Sequence, residues 1–243
     1  MSDLNPNPVP TDPPPTSETT AVTSFEFETL VNMGVQRSFR QGAMILNENE
    51  SGDAMYFLIK GRVRVFGAAA TGKEITYGTI EAGEFFGEMA LDGGSRSASV
   101  EALEPCVCAV VSNAQVLSYM HENSEFAVEL LHTAIARARS ATMAARDMAL
   151  LDVYARLSQT LSRLATADTP IVDNGENGTV NGTEHHDTLP RSIHEPITHA
   201  ALAAFVGASR EMVSKLMKDL ERGGYIQVDN RRITLLKKLP ARW

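Results

Sequence analysis

Residues 85–100 read FFGEMALDGGSRSASV, and the rest of the chain is organised around them. Glu88 follows a glycine, and Arg96 follows a Gly-Gly-Ser run and precedes a row of small residues. Such a loop is suited to a phosphate. Glycine lets the backbone approach closely, successive backbone N–H groups form an anion-binding concavity, and arginine adds a bidentate fork. The Glu88 carboxylate can accept a hydrogen bond from a sugar hydroxyl. The same residues also read as a glycine-rich hairpin with a surface salt bridge.

The chain has 243 residues, enough for one large or two modest domains. Its hydrophobic content, 43%, is ordinary for a globular protein. No apolar run approaches the ~20 residues needed to span a bilayer. The first residues are polar and proline-rich, without a basic or an apolar signal region, so a cytoplasmic protein is expected. Cys106 and Cys108 are two apart in an alternating run and share one face of a strand. They read as a metal or redox pair or as two small apolar side chains. The second is favoured, because no further cysteine completes a site. Net charge is −8, but Pro196 to Trp243 holds nine Lys/Arg and four Asp/Glu, a net of +5. A basic end on an acidic body points to nucleic-acid binding confined to a C-terminal module.

Residues 1–23 carry six of the eleven prolines and are expected to be a disordered tail. A short helix is expected from Phe25 to Met33. Period-two alternation follows through Met55-Phe57-Ile59, Val63-Val65, Ile75-Tyr77 and Val107-Ala109-Val111, punctuated by glycines. That describes an antiparallel sandwich or roll, with the 85–100 loop inside it.

After Ser112 the pattern turns helical. One helix spans Asn113 to about His121, and Asn123 or Ser124 can cap the next, which runs to about Ala149. Leu131, Ile135, Ala138, Thr142, Ala145 and Ala149 step 4, 3, 4, 3, 4 along it, an a/d seam for a second copy of the chain. Thr142 is the polar residue on that seam. Its hydroxyl can cap a bound base or bond its own i−4 carbonyl. Arg137 can reach a ligand or stay solvated. Asp152 can cap a further helix to about Ala165, and 148–152 is a candidate hinge.

Residues 166–195 hold three Asn-Gly pairs and few apolar side chains, which favours a mobile loop over a hairpin. His185 and His186 lack partners for a metal site. From Ile197, Thr198 caps a short helix and Gly207 makes a turn. Ser209 then caps a second helix that begins with Arg210 and ends at Gly223-Gly224. This is a helix-turn-helix with a recognition helix. YIQVDNRRITLL (225–236) reads as a two-stranded wing turning at Asp229-Asn230, with Arg231 and Arg232 near phosphates.

Gly87-Glu88 and Arg96-Ser97-Ala98 resemble the phosphate-binding cassette of cyclic-nucleotide-binding domains. With the long helix and GASREMVSKLMKDLE (207–221), the whole is similar to the CRP/FNR family of bacterial transcription regulators, over 25–165 and 197–239. The resemblance implies an α+β protein. A cyclic-nucleotide-binding roll is expected at 24–123, a dimerisation helix at 124–150, and a winged helix-turn-helix at 151–243 with a flexible insertion at 166–195. It implies that Glu88 binds the ribose hydroxyl, and that Arg96 and Ser97 bind the cyclic phosphate beside Gly87 and Ala98. The run between Glu88 and Arg96 is shorter than is common in the family. On the long helix the family's adenine-binding Thr-Ser pair falls on Ala141 and Thr142, with Arg137 nearby. Arg210 and Glu211 would read bases, assisted by Lys215 and by Ser209 at the helix start.

The resemblance further implies a homodimer on palindromic double-stranded DNA, cyclic AMP or another cyclic nucleotide as effector, RNA polymerase as partner, and neither a metal nor a membrane. Two other effector readings stand beside cyclic AMP: cyclic di-GMP, or no ligand at all. A regulatory subunit acting on a protein partner predicts no DNA contact, against the basic helix-turn-helix. An enzyme is not expected, since no coupled nucleophile and base, metal cluster or P-loop is present.

Overall fold

The computed structural model describes residues 24–167 and 190–240. The expected tail, His185 and His186 lie outside them. After α1 (Ser24–Met33), eight strands follow: β1 (Val35–Phe39), β2 (Met44–Leu46), β3 (Ala54–Lys60), β4 (Arg62–Ala68), β5 (Glu74–Glu81), β6 (Phe85–Phe86), β7 (Ser99–Ala102) and β8 (Cys106–Ser112). They form two antiparallel four-stranded sheets, ordered β1-β8-β3-β6 and β2-β7-β4-β5.

β3, AMYFLIK, explains how the layers stack. It is apolar on both faces. Met55 and Phe57 pack with Phe85, Ala109 and Val111 against Leu30, Val116, Phe126 and Leu130 of the helices. Leu58 packs with Phe86, Cys106 and Cys108 against Leu46, Val63, Ile80 and Val100 of the other sheet. The central strands β3 and β8 of the first sheet are thus covered on both sides, whereas its edge strand β1 is exposed. The two cysteines share the sheet's inner face as small apolar residues, and burial pushes the Cys108 thiol up to about 12.

Ser112 caps α2 (Asn113–Glu122) in a reciprocal capping box with Gln115. Asn123 precedes α3 (Ser124–Leu150) without a capping hydrogen bond from its side chain. Asp152 caps α4 (Val153–Leu164) by accepting from Ala155 N at 2.8 Å, so the break at 151–152 coincides with the expected hinge.

Tyr154, Leu157 and Leu161 of α4 belong to a separate core, shared with α5 (His199–Val206), α6 (Arg210–Arg222) and the C-terminal sheet. That sheet corrects two expectations. It has four strands, ordered β11-β12-β10-β9: β9 (Thr166–Ala167), β10 (Arg191–Ile193), β11 (Ile226–Asp229) and β12 (Arg232–Leu235). Both ends of the 166–195 segment are therefore paired strand rather than loop, because Ile193 has a core to enter and Arg191 donates to Ala165 O. The wing turns one residue later than expected, at Asn230 (φ +47°) and Arg231 (φ +66°), the two left-handed positions of a tight hairpin.

The two units touch. α5 lies against β5, and Arg62 of β4 is ion-paired with Glu195, whose hydrogen-bonded carboxylate raises the guanidinium pKa. Gly207 has φ +67°, and a Cβ there would stand 2.6 Å from Met148 Cε. The left-handed backbone favours glycine here, and the flexible end of Met148 fills the space it leaves. Arg156 donates to Leu151 O and Val206 O, tying the hinge to the end of α5.

Candidate functional site

The 85–100 loop is built around Arg96. Gly87, at φ +86°, turns the chain from β6 into a single 3-10 turn, Glu88–Ala90, and leaves room for the arginine: a Cβ there would meet Arg96 Nη1 at 2.7 Å. Arg96 is 5% exposed. Nη1 donates to Gly87 O and Nη2 to Ala54 O, both at 2.7 Å. Its backbone is fixed to Asn49 and Glu50 on the strand side. The guanidinium lies 5.9 Å from the ring of Tyr56, itself stacked on Phe86. Two of five N–H groups are thereby used. Among the described residues the buried side-chain polar atoms without any partner are Asn113 Oδ1 and Thr133 Oγ1.

Glu88 faces the long helix. Its carboxylate pairs with Arg137 at 2.6 Å, and Arg137 also donates to Phe85 O at 2.7 Å and stands 5.2 Å from the Phe85 ring. The predicted residues Glu88 and Arg137, 49 positions apart, are thus brought together. Ser97 is exposed and its hydroxyl lies 3.0 Å from Met89 Sδ, a weak acceptor; Ala98 is half-buried. Ala141 and Thr142 are exposed, and Thr142 Oγ1 bonds Ala138 O at 2.9 Å, one of the two roles open to it.

Three residues escaped sequence reading. Tyr56 flanks Arg96. Asn113 donates to Ala90 O and Gly52 O and so pins the 3-10 turn. Met89, 61% exposed, covers the Ser97 hydroxyl. Each lies in a stretch that reads as ordinary strand, helix start or loop.

α3 has two faces. Phe126, Glu129, Leu130 and Thr133 are buried against the roll. The predicted seam is exposed along its whole length, including Leu131 at 57% and Ile135 at 40%.

At the other end, Ser209 caps α6 by accepting from Met212 N. Val213, Leu216, Met217 and Leu220 form the buried stripe of that helix, while Arg210, Glu211 and Lys215 are exposed with no partner among the described residues. They stand on the side of α6 turned away from its core. This is the arrangement of a helix that enters a DNA groove.

No described helix is long and apolar enough to cross a membrane, and no described cluster of three His, Cys, Asp or Glu could hold a metal.

Comparison with known proteins finds relatives for both units of the chain. A model of the cyclic nucleotide-binding domain matches residues 36–123, and one of the Crp-like helix-turn-helix domain matches 155–239. The chain is 28% identical to the cAMP-activated global transcriptional regulator Vfr of Pseudomonas aeruginosa over 82% of its own length and 88% of that protein's. It is 28% identical to the cAMP-activated global transcriptional regulator CRP of Pasteurella multocida, over 79% and 85%. Among solved structures, the c-di-GMP responsive regulator CLP of Xanthomonas campestris shares the fold, with TM-score 0.69 and 21% identity over 88% of this chain and 99% of that one.

Proposed function

The chain belongs to the CRP/FNR family of ligand-responsive transcription regulators, and we propose that it is a homodimer whose operator binding is gated by cyclic AMP held in the roll. The observation that carries the ligand reading is the clamp of Glu88 to Arg137, beside an Arg96 already seated by two carbonyls. A ribose hydroxyl can donate to Glu88, and a cyclic phosphate can accept from the remaining donors of Arg96 and from the Ser97 hydroxyl. A base leaving that site would meet α3 near Ala141 and Thr142.

The exposed seam of α3 is the face for the second copy. Two α6 helices about one DNA turn apart, ~34 Å, would then enter successive major grooves of a palindrome. Arg210 suits the O6/N7 edge of guanine and Glu211 the amino group of cytosine, with Lys215 and Ser209 in support. RNA polymerase is the partner that this role calls for, and the cytoplasm the compartment. The protein acts through binding, without catalysis or a metal.

Cyclic di-GMP is the second reading. It is favoured by the Xanthomonas neighbour's response to that ligand and by the loss of one polar contact at Ala141. Calorimetry of the full chain against cyclic AMP, cyclic GMP and cyclic di-GMP, followed by operator titration with each, decides between them. Cyclic AMP is expected to bind and to tighten operator binding. Binding of cyclic di-GMP alone would transfer the role to it, and no binding at all would leave a regulator without a nucleotide effector.

A further inference from the structure

α5 starts at His199, and that ring is not idle. Nδ1 lies 2.9 Å from Oγ of Ser214 on α6. Ser214 falls one turn after Arg210 and one turn before Lys218, outside the buried stripe of its helix. The bond therefore joins the first residue of one helix to the middle of the reading helix, on the side that carries the exposed cations. His199 is half-buried, and Nε2 has no partner among the described residues.

Helix-turn-helix docking decides what such a ring meets. The second helix lies in the major groove while the first crosses the sugar-phosphate backbone at the groove's edge. A side chain on α5 that touches the outward flank of α6 sits at that edge. We infer that His199 is a DNA-backbone contact: its Nε2–H donates to an operator phosphate, while Ser214 holds the ring from the other side. The chemistry is consistent at both nitrogens. A phosphate oxygen only accepts, so Nε2 must carry the proton. The Ser214 hydroxyl can rotate to donate to Nδ1, which places the proton of a neutral imidazole on Nε2. Ser214 thus has a second task besides occupying a helix position: it selects the tautomer that can hold DNA.

A phosphate contact positions the protein and carries no base information. That separates His199 from Arg210 and Glu211. The inference rests on the DNA-binding reading of α6, and the following test tells the two apart. A palindromic duplex is selected from a random library with the native full-length protein. It is then remade with a single neutral methylphosphonate at each backbone position of a half-site.

The native protein is expected to lose about ten- to a hundredfold in affinity at one flanking position through the His199 contact, the size of one hydrogen bond to a charged group. His199→Ala should lose a similar factor on every duplex, keep its base preferences, and no longer sense that position. His199→Gln, which retains an N–H donor, should recover part of the loss, and it carries the test if the alanine variant melts early. Ser214→Ala should show an intermediate loss at the same position. A His199→Ala protein that binds as tightly as native overturns the inference. So does one that is weaker yet still senses every phosphate as native does, since the ring would then be only a brace between two helices. If the native protein selects no duplex at all, the DNA reading itself fails.

Discussion

The two binding regions are built in opposite ways. In the 85–100 loop each chemically active side chain is already engaged within the protein: Arg96 with Gly87 O and Ala54 O, Glu88 with Arg137, Ser97 with Met89. On α6 the corresponding residues, Arg210, Glu211 and Lys215, are exposed and without a partner among the described residues. The loop holds its shape through the groups that would bind ligand. α6 holds its shape through a separate apolar stripe, so the exposed residues proposed to read DNA are free of structural duty. Substitutions should therefore disturb fold and binding together in the first region and binding alone in the second.

The largest effect is expected on the seam of α3, where the proposed dimer would join the two regions. In that dimer Ala145→Glu would place an unpaired charge between two copies of the helix, a burial that costs several kcal/mol. Size-exclusion chromatography should show monomer, with operator binding lost although neither binding region is altered. A dimer that survives would show that α3 is not what couples them.

Arg96→Ala comes next. It deletes two charge-assisted hydrogen bonds and strands the Gly87 and Ala54 carbonyls, about 3 kcal/mol of stability in all. A thermal melt should show a drop of several degrees, and calorimetry at least a tenfold loss for the cyclic nucleotide. Arg210→Ala is the matched control on the other side. It should leave the melt unchanged and cost about 1–3 kcal/mol of operator affinity, focused on one base pair of each half-site. If Arg96→Ala melts like the native protein, the claim that its loop is structurally committed fails. If Arg210→Ala weakens all sequences equally, that arginine is a phosphate contact and His199 has company.

The contrast also explains what the sequence could disclose. α6 was legible because a reading helix keeps its two stripes apart, and the period of Val213, Leu216, Met217 and Leu220 marks one of them. The Gly87-Glu88 and Arg96-Ser97 pattern was legible as a motif, yet the seat of Arg96 was not. Ala54 O, which accepts from it, comes from 42 residues before, and the Asn113 amide, which pins the neighbouring 3-10 turn, from 17 after; neither residue type signals such a role. The ends of the 166–195 segment were misread for a related reason. Two- and three-residue strands carry no periodicity, and their pairing is decided by a core that other elements supply. The wing turn slipped by one residue because Asn230-Arg231, unlike Asn-Gly, does not advertise two left-handed positions.

The smallest effect concerns the point where an effector would bridge the two regions. Glu88 reaches α3 through Arg137, and Ala141 and Thr142 follow one turn further along that helix. Thr142 Oγ1 is occupied with Ala138 O, an i−4 bond that leaves the hydroxyl its lone pairs but uses its proton. A base resting there finds an acceptor in Thr142 and a methyl group in Ala141. Swinging a two-state protein from nearly all inactive to nearly all active requires a ligand preference of ~5.5 kcal/mol. With one polar contact missing, cyclic AMP should fall short and switch the protein only in part. Ala141→Thr restores a hydroxyl worth about 0.5–1.5 kcal/mol, so the ratio of operator affinities with and without cyclic AMP should rise by roughly two- to tenfold. The ligand-free affinity should stay where it was, because an exposed threonine on α3 touches neither the roll core nor α6. A native protein that already switches fully with cyclic AMP, and gains nothing from Ala141→Thr, would show that the seam takes no part in reading the base. The coupling would then have to run through the contact of α5 with β5 and of Gly207 with Met148 of α3.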